Sequence, residues 1–546
     1  MVLAKTFRSP WRTIPERVRQ LAEIGPGNEF CTFVSRGEEV AISFGELYRH
    51  SRAYAATYAA LGIEPGDIVI VMLEHSRHLF SSYLGAMLAG AIPAFMPFPS
   101  PKQRADLFWA DHQALFARIE PRLLVTYTPN DITARAALGS ALPVLIAGDE
   151  IFAAGESATA LPGFTRLTGD IACLQHSSGT TALKKGVPLT HAAIAGHLDA
   201  YTRAIELRPG DRIVSWLPLY HDMGFVACFL TALLTGIPLV ALDPFEWVMK
   251  PHILFDAIER HRGTLCWLPN FAFAHLANAV RPNRHWDLSS MRAYINCSEP
   301  CKPATFERFR SRFAPDGVRS EQLAVCYAMA ENVFGVTQTA IGREPAVRQL
   351  AEADAPSRTL ASCGRPLVGV TVEIRGPAGT PLADGIVGEI FVRGPFLFRG
   401  YDRLPAETEH KLHGEWYASG DLGFFSDGEL YVTGRVDDML ILNGRNYYAH
   451  EIEAIVDSLE GLLPGRTIAI GIDDERSGAT VVVILAECRS GAPVTRISQE
   501  ANALVMNRLG LSIHALVPLA PGSLIKTTSG KLSRSKNRQL YVDGAL

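Results

Sequence analysis

Amphipathic helices alternate with short apolar strands along the first two-thirds of the chain. Residues 44–62, FGELYRHSRAYAATYAALG, have the apolar spacing of a helix that ends at Gly62. The next apolar run, DIVIVML at 67–73, predicts a buried strand, and further strands are predicted at 122–127, 142–148, 211–218 and 263–269. Because parallel strands are connected by helices that cover the sheet, this alternation predicts an α/β fold with helix-covered sheets.

One apolar stretch could be mistaken for a membrane span. Residues 223–242 carry no charge over twenty positions, which is long enough to cross a bilayer. However, TGIP at 235–238 divides this stretch into a short apolar helix and a short strand. Residues 83–98 repeat the pattern of apolar helix, AGAIP and strand. Both stretches therefore predict buried layers of an α/β sheet, and we expect no membrane span; a membrane transporter is the weakest alternative.

From about residue 368 the pattern becomes that of a β subdomain. Residues 368–394 predict two strands joined by a Gly/Pro turn, and GELYVTGR at 428–435 continues the β character. After Met439 a separate α+β unit is predicted, with two strands between helices near 450–460 and 496–509.

The change of pattern places a domain boundary at 436–438. We therefore predict a large N-terminal domain, residues 1–436, and a small C-terminal domain, residues 437–546.

Composition and charge narrow the class of protein. Among 546 residues, 48% are hydrophobic and 20% are charged, which indicates a globular fold and argues against disorder. The 52 basic and 56 acidic residues are spread along the chain without a basic stripe, so we expect no nucleic-acid partner. The nine cysteines form no CxxC pair, and the N-terminus lacks the apolar core of a signal peptide. A cytoplasmic location is the resulting prediction.

The stretch HSSGTTALKKG, residues 176–186, has the residue types of a loop that binds phosphate. Its hydroxyls come from Ser177, Ser178, Thr180 and Thr181, while Gly179 lets backbone N–H groups approach an anion closely. It is not a Walker loop, because the GxxxxGK[ST] spacing is absent. The residues alone leave open a second interpretation, a solvated Ser/Thr turn before the strand GVPLT.

Two further segments carry charged candidates. Asp421 precedes Arg435 by fourteen residues, with a predicted strand between them. A carboxylate can accept both hydroxyls of a ribose, and a guanidinium can bind a phosphate or sugar oxygen. The alternatives are a turn aspartate and a surface ion pair. Lys531, in the polar loop IKTTSGKLSR, has by itself the alternative of a solvated lysine.

Taken together, these segments resemble the superfamily of acyl-adenylate-forming enzymes, which includes acyl-CoA synthetases, peptide-synthetase adenylation domains and luciferases. The matching motifs occur in the family's order: SSGTTALKKG, CYAMAE, GEIFVRG, YASGD, GRVDD and TTSGK. WLPLYHDMGF, NCSEP, YAMAE and NGRNYYAHEIE look most like fatty acyl-AMP ligases. The resemblance implies a large domain of helix-covered mixed sheets with a small β subdomain, followed by a small mobile α+β domain.

The resemblance also implies a role for each matched position. ATP is bound by the phosphate loop and by the base and ribose pockets, which comprise Ser178, Gly179, Thr180, Thr181, Lys185, Ser298, Glu299, Pro300, Tyr327, Ala328, Met329, Ala330, Asp421 and Arg435. Within this set Tyr327 stacks on adenine and Asp421 binds the ribose hydroxyls. Glu331 is implied as a Mg²⁺ ligand, a role that suits a carboxylate oxygen.

Catalytic roles are implied for Thr180, His221, Glu331 and Lys531. Lys531 contacts the substrate carboxylate and the α-phosphate, and the small domain swivels at Asp437 to withdraw it. His221, with Asp222 and Met223 beside it, lies near the entry of the carboxylic acid. A packed structural histidine is the alternative interpretation of His221.

The function implied is ATP-dependent activation of a carboxylic acid, a fatty or modified fatty acid, to acyl-AMP with release of pyrophosphate. The acyl group then passes to the phosphopantetheine thiol of an acyl carrier protein. Two alternatives stay open, an acyl-CoA synthetase that uses free CoA and a non-catalytic binding or scaffold protein. The segment 340–366 occupies the place of an insertion thought to disfavour CoA, but it is short. Ala182 and Lys184 stand where the family pattern has glycine and proline.

Overall fold

A computed structural model provides the fold of the chain. It describes residues 11–99, 105–140, 142–155, 167–176, 184–281, 283–352, 355–442, 445–474, 479–526 and 532–546.

The largest sheet has nine strands, in the spatial order Arg365–Pro366, Gly335–Gln338, Leu323–Ala328, Ala293–Asn296, Leu265–Leu268, Ile213–Ser215, Leu239–Leu242, Glu29–Ser35 and Glu38–Ser43. The six strands from Leu323–Ala328 to Glu29–Ser35 run parallel, and the strands beyond them at both edges run antiparallel. The sheet is therefore mixed, as the resemblance implied. The edge hairpin formed by Glu29–Ser35 and Glu38–Ser43 was not predicted.

A second sheet is wholly parallel, with the order Ile92–Phe95, Ile68–Val71, Leu123–Thr126 and Val144–Ile146. The predicted helix before it is Phe44–Ala60, and its first turn is closed by a reciprocal capping box between Ser43 and Glu46. The other helices of the large domain are Ile14–Ile24, Arg77–Ala89, Ala105–Ile119, Thr128–Leu138, Asp149–Gly155, His191–Ala204, Pro244–Met249, Ile253–His261, Asn270–Ala279, Pro303–Phe313 and Pro405–Lys411.

The apolar stretch 223–242 is divided as predicted. Met223–Leu230 is a π-helix that continues into the α-helix Thr231–Thr235, and all of its residues are buried. Gly236 then ends the helix with φ +84°, a left-handed conformation that favours glycine, before the strand Leu239–Leu242. Within the described part of the chain, no helix has the length and apolar character that a membrane span requires.

The β subdomain contains the strands Thr371–Arg375, Gly388–Arg393, Trp416–Ser426, Leu412–His413 and Glu429–Arg435. Two separate hairpins accompany it. One pairs Ile171–His176 with Gly186–Thr190, the two strands that flank the predicted phosphate loop in the sequence. The other pairs Val347–Glu352 with Ala355–Ala361 and occupies most of the segment 340–366.

The C-terminal part has its own sheet and its own core. Its sheet has the order Leu462–Asp474, Ala479–Cys488 and Ile513–Leu519; its other elements are the hairpin strands Met439–Leu442 and Arg445–Tyr448 and the helices Ala449–Val456, Val494–Leu509 and Arg534–Val542. Its buried apolar residues form clusters separate from that of the large domain. The boundary at 436–438 lies just before these elements and stays a prediction.

One ion pair joins the C-terminal part to the large domain. The ammonium of Lys536 lies 2.7 and 3.0 Å from the two carboxylate oxygens of Asp111 on the helix Ala105–Ile119. The contact fixes the last helix, Arg534–Val542, against the large domain in this conformation.

Candidate active site

The predicted phosphate loop and the predicted catalytic lysine lie largely outside the described residues. This applies to Ser178, Gly179, Thr180 and Thr181, to Ala182, and to Lys531. Their flanking residues are described. His176 pairs with Gly186 across the loop, and an antiparallel bridge joins Lys526 to Leu532 on either side of the lysine segment. The roles of these five loop residues and of Lys531 stay predictions.

Tyr327, Asp421 and Arg435 form one hydrogen-bonded group. Asp421 and Arg435 are directly opposite each other on the antiparallel strands Trp416–Ser426 and Glu429–Arg435. The guanidinium Nε of Arg435 donates to Asp421 Oδ1 at 2.8 Å, and the hydroxyl of Tyr327 donates to Asp421 Oδ2 at 2.6 Å. The spacing of fourteen residues thus brings the predicted ribose-binding pair into contact.

Electrostatics reinforce this group. The Asp421 carboxylate raises the pKa of Arg435, and burial together with the same carboxylate raises the pKa of Tyr327. Tyr327 therefore keeps its proton and acts as a donor to Asp421. Because both oxygens of Asp421 already accept a hydrogen bond, its carboxylate has a fixed orientation before any ligand binds.

The segment Cys297 to Pro300 follows the parallel strand Ala293–Asn296 at the carboxyl edge of the sheet. Ser298 has φ +70°, a left-handed conformation that is uncommon for a residue with a side chain. Its hydroxyl lies 4.0 Å from the sulfur of Met223, so the predicted base pocket and the predicted acid-binding segment are neighbours. Glu299 has a local contact, because its Oε2 accepts a hydrogen bond from Phe271 N in the first turn of Asn270–Ala279.

Glu331 lies in the 3₁₀ turn Ala330–Asn332, directly after the strand that carries Tyr327 and Ala328. It is 7% exposed, and Met329 and Ala330 are buried beside it. Its Oε1 accepts a hydrogen bond from the hydroxyl of Tyr401 at 2.6 Å. No other side-chain donor among the described residues contacts this carboxylate.

The carboxylate of Glu331 fits a magnesium ion. Mg²⁺ prefers oxygen ligands and is commonly held by one or two carboxylates plus the phosphates of its substrate. In the described ranges no group of three or more His, Cys, Asp or Glu side chains has the arrangement of a metal site. A metal at Glu331 would therefore take its remaining ligands from phosphate and water. Bound there, Mg²⁺ would neutralise phosphate charge.

The segment His221 to Met223 begins the π-helix Met223–Leu230. Asp222 Oδ1 accepts a hydrogen bond from Met223 N at 2.8 Å and so caps the helix. The ring of His221 lies 4.9 Å from that of Tyr220, centroid to centroid. Asp222 therefore has a local structural contact, and the role of His221 at the acid stays a prediction.

Lys185 forms the cationic part of the site. Its ammonium pairs with Glu407 Oε2 at 2.5 Å and lies 5.2 Å from the ring centroid of Tyr401. The hydrogen bond from Lys185 lowers the pKa of Glu407. Because Tyr401 also contacts Glu331, the predicted phosphate-binding lysine and the predicted metal ligand meet at one side chain.

Lys184, which stands where the family pattern has proline, contacts a different aromatic ring from that of Lys185. Its ammonium lies 5.4 Å from the ring centroid of Tyr220, and Arg118 donates to its backbone carbonyl. Burial lowers the pKa of Lys184 to about 8, against an opposing effect of the Asp111 carboxylate. The additional lysine is thus a partly buried cation against Tyr220, which directly precedes the predicted acid-binding segment.

This burial predicts an unusual pH dependence of stability. Between about pH 8 and 10 the unfolded chain binds a proton at Lys184 that the folded chain has lost, so the free energy of unfolding rises with pH. Lys184→Met should abolish that rise and stabilise the fold at pH 7 by about 2 kcal/mol. Urea denaturation at pH 7, 8 and 9.5 measures both effects. Lys250→Met, at a lysine 59% exposed, is the control, and equal pH slopes for wild type and Lys184→Met would refute the prediction.

Several residues of the site were not found from the sequence. Tyr401, Tyr417 and Glu407 belong to the β subdomain and the helix Pro405–Lys411, and nothing in their spacing marks them as partners of Glu331 and Lys185. The hydroxyl oxygens of Tyr401 and Tyr417 are 3.1 Å apart. Only the folded structure brings these side chains together.

Comparisons with known proteins identify the family and the fold of the chain. Residues 19–402 match the sequence profile of a family described as AMP-binding enzyme. The chain is 30% identical to a putative acyl-CoA synthetase of Caulobacter vibrioides, covering 93% of this chain and 92% of that protein. It is 28% identical to the medium-chain-fatty-acid–[acyl-carrier-protein] ligase JamA of Moorena producens, covering 94% of this chain and 92% of that protein. A solved fatty acyl-adenylate ligase, from a study of the E. coli and L. pneumophila enzymes, shares 27% identity with a TM-score of 0.88 and 98% coverage of each chain.

These matches define the class of protein, which is an adenylate-forming ligase with a large and a small domain. The chain belongs to the AMP-binding enzyme family. The resemblance drawn from the six motifs is therefore confirmed, and so is the predicted fold class.

Proposed function

We propose that the protein activates a fatty acid with ATP and transfers it to a carrier-protein thiol. In the first step a carboxylate oxygen of the acid attacks the α-phosphorus of ATP, and pyrophosphate leaves with the electron pair of the broken P–O bond. In the second step a thiol sulfur attacks the acyl carbonyl, and AMP leaves. Positioning and charge neutralisation carry this chemistry, without a general base in the first step.

One observation carries the proposal. Tyr401 donates to Glu331, its hydroxyl lies 3.1 Å from that of Tyr417, and Tyr417 lies on the same strand as Asp421. Burial, and then the negative charges of Glu331 and Asp421, raise the pKa of Tyr417. The predicted metal ligand and the predicted ribose ligand therefore belong to one site. Lys185 joins this site through Tyr401, which contacts both Glu331 and Tyr417.

An apolar cavity supports a fatty acid as the substrate. The cavity is narrow, with a volume of about 10 Å³, and it adjoins Tyr220, next to His221. Most of its lining is apolar and comes from Leu73, Leu79, Phe95, Met96, Phe98 and Leu219. The sequence analysis placed the entry of the acid near His221 and assigned no substrate role to residues 73–98. The apolar part of this lining suits an alkyl chain, for which the surrounding side chains must move apart.

The hairpin of Val347–Glu352 and Ala355–Ala361 supports a carrier protein as acceptor. Arg348, in the first strand of the hairpin, forms an ion pair with Asp427 of the β subdomain, and Arg365, four residues after the hairpin, donates from Nη2 to Asp427 O at 3.0 Å. The C-terminal helix Val494–Leu509 also packs on the strand Ala355–Ala361. The segment, although short, is thus folded between the β subdomain and the C-terminal part, where it can restrict entry of free CoA. JamA is named for a carrier-protein acceptor.

An acyl-CoA synthetase is the second candidate, because one relative carries that name. Incubation with a fatty acid, ATP and Mg²⁺, and then with either free CoA or a phosphopantetheinylated carrier protein, separates the two. We expect acylated carrier protein by mass spectrometry and no acyl-CoA. Acyl-CoA as the main product would refute the carrier-protein assignment and leave adenylation intact. The predicted cytoplasmic location is part of this proposal, since both acceptors are found there.

The Tyr327–Asp421–Arg435 group gives a prediction for ATP binding. Asp421→Asn removes the charge that orients Arg435 and would bind the ribose, and we expect the KM for ATP to rise about 10- to 100-fold. Pyrophosphate release at varied ATP concentration measures this change. Asp427→Asn, on the turn of the same two strands, is the matched control. An unchanged KM for ATP in Asp421→Asn would show that the group does not bind the nucleotide.

A further inference from the structure

Tyr401 contacts two charged groups that the proposed reaction requires. Its hydroxyl donates to Oε1 of Glu331 at 2.6 Å, and the face of its ring carries the ammonium of Lys185 at 5.2 Å from the centroid. The Tyr401 side chain is buried, and Tyr401 N donates to Thr408 Oγ1 at 2.9 Å. A single rigid ring therefore fixes the separation between a carboxylate and an ammonium.

The hydroxyl of Tyr401 acts as the donor to Glu331. Burial and the charge of Glu331 raise its pKa well above the usual value, so it stays protonated and donates to Glu331. The hydroxyl of Tyr417, 3.1 Å away, then donates to the oxygen of Tyr401. This chain of donors orients one oxygen of Glu331 and leaves the other for a cation.

Glu407 contacts Lys185, the second of the two charged groups beside Tyr401. Its carboxylate neutralises Lys185 at 2.5 Å, from the first turn of the helix Pro405–Lys411. The Lys185 side chain is 13% exposed, whereas that of Glu407 is 42% exposed. Glu407 can therefore turn toward solvent when a phosphate group takes its place at Lys185.

We propose that Tyr401 is a positioning residue that holds Glu331 for the magnesium ion and Lys185 for the phosphates, and that Glu407 occupies Lys185 until the triphosphate displaces it. This inference rests on the proposed function. It adds three residues of the β subdomain and its helix, Tyr401, Tyr417 and Glu407, to the control of metal and phosphate binding. Substitution of a residue that orients a metal ligand commonly lowers metal affinity 10- to 100-fold.

Tyr401→Phe is the central test, because it removes the hydroxyl and keeps the ring. The Mg²⁺ concentration that half-saturates ATP binding should rise about 10-fold, while metal-free ATP affinity stays near that of wild type. The melting temperature should fall somewhat, because the buried carboxylate of Glu331 loses its donor. Calorimetric titration of ATP over a series of Mg²⁺ concentrations gives the Mg²⁺ requirement and the metal-free ATP affinity, and thermal unfolding gives the melting temperature. Tyr58→Phe is the matched control, since its buried hydroxyl donates to Ser82 O at 3.1 Å away from the site.

Two further variants separate the contributions of ring and carboxylate. Tyr401→Leu also removes the cation–π contact, so metal-free ATP affinity should fall about 3-fold in addition. Glu407→Gln removes the competitor for Lys185 and should raise metal-free ATP affinity about 3-fold. A Mg²⁺ requirement of Tyr401→Phe equal to that of wild type would overturn the inference while the proposed function stands. Failure of wild-type protein to bind ATP at all would contradict the proposed function and, with it, this inference.

Discussion

Replacement of Lys531 by alanine is expected to lower the rate of acyl-adenylate formation by about 100- to 1,000-fold. The reason is electrostatic: the carboxylate of the acid and the triphosphate repel each other, and a cation between them stabilises the charge that develops in the transition state. One preorganised donor at such a position commonly contributes this factor. Single-turnover formation of acyl-AMP, measured with saturating acid and MgATP, tests the expectation.

The second half-reaction distinguishes this effect from a loss of folding. Supplied with preformed acyl-AMP, Lys531→Ala should transfer the acyl group to the carrier thiol at a rate close to that of wild type, because the proposed mechanism requires the lysine only in the first step. Lys250→Ala, at an exposed lysine on the large domain, is the control for the substitution itself. Equal loss of both half-reactions in Lys531→Ala would argue against the assigned role.

Replacement of Glu331 by glutamine is expected to lower kcat/KM for ATP by about 100-fold. The substitution keeps the shape of the side chain and its hydrogen bond from Tyr401, but removes the charge that would hold Mg²⁺. Part of the loss should be recovered at high Mg²⁺ concentration, because a neutral amide oxygen is a weaker ligand for a hard cation. Initial rates over a matrix of ATP and Mg²⁺ concentrations measure both effects.

Glu415→Gln is the control for Glu331→Gln. The side chain of Glu415 is 82% exposed and pairs with Arg393 at 3.6 Å, so its loss should leave the rate unchanged. If Glu331→Gln lowered the rate by a factor that no Mg²⁺ concentration altered, the residue would act through the fold and not through the metal.

The hydrophobic periodicity, together with the glycines and prolines that end helices and strands, was sufficient to predict most of the fold. The helix Phe44–Ala60 was predicted from its apolar spacing and from the glycine after it, Gly62, and the stretch 223–242 is broken at Gly236, where a left-handed backbone is required. In contrast, the π-helix Met223–Leu230 could not be predicted, because an unbroken apolar run has no periodic pattern that distinguishes one helix type from another. The edge hairpin Glu29–Ser43 was also missed.

The candidate site was predictable where its residues belong to motifs, and not elsewhere. The spacing of Asp421 and Arg435 reflects two strands of an antiparallel hairpin, so their contact follows from local sequence. Tyr401 and Glu407 reach Glu331 and Lys185 across 70 and 222 residues of chain, respectively, a separation that no single-sequence pattern encodes. The sequence did not indicate that Lys184 is partly buried, because burial depends on the side chains packed around the residue.

The central claim is that this site joins a carboxylic acid to AMP, and isotope exchange between pyrophosphate and ATP tests it most directly. The exchange requires reversible formation of acyl-AMP and needs no thiol acceptor. With a panel of fatty acids of different length and Mg²⁺, we predict acid-dependent incorporation of labelled pyrophosphate into ATP that is lost in Lys531→Ala and strongly reduced in Glu331→Gln. Absence of exchange with every acid of the panel, in folded protein that binds ATP, would contradict the claim and favour a non-catalytic nucleotide-binding protein.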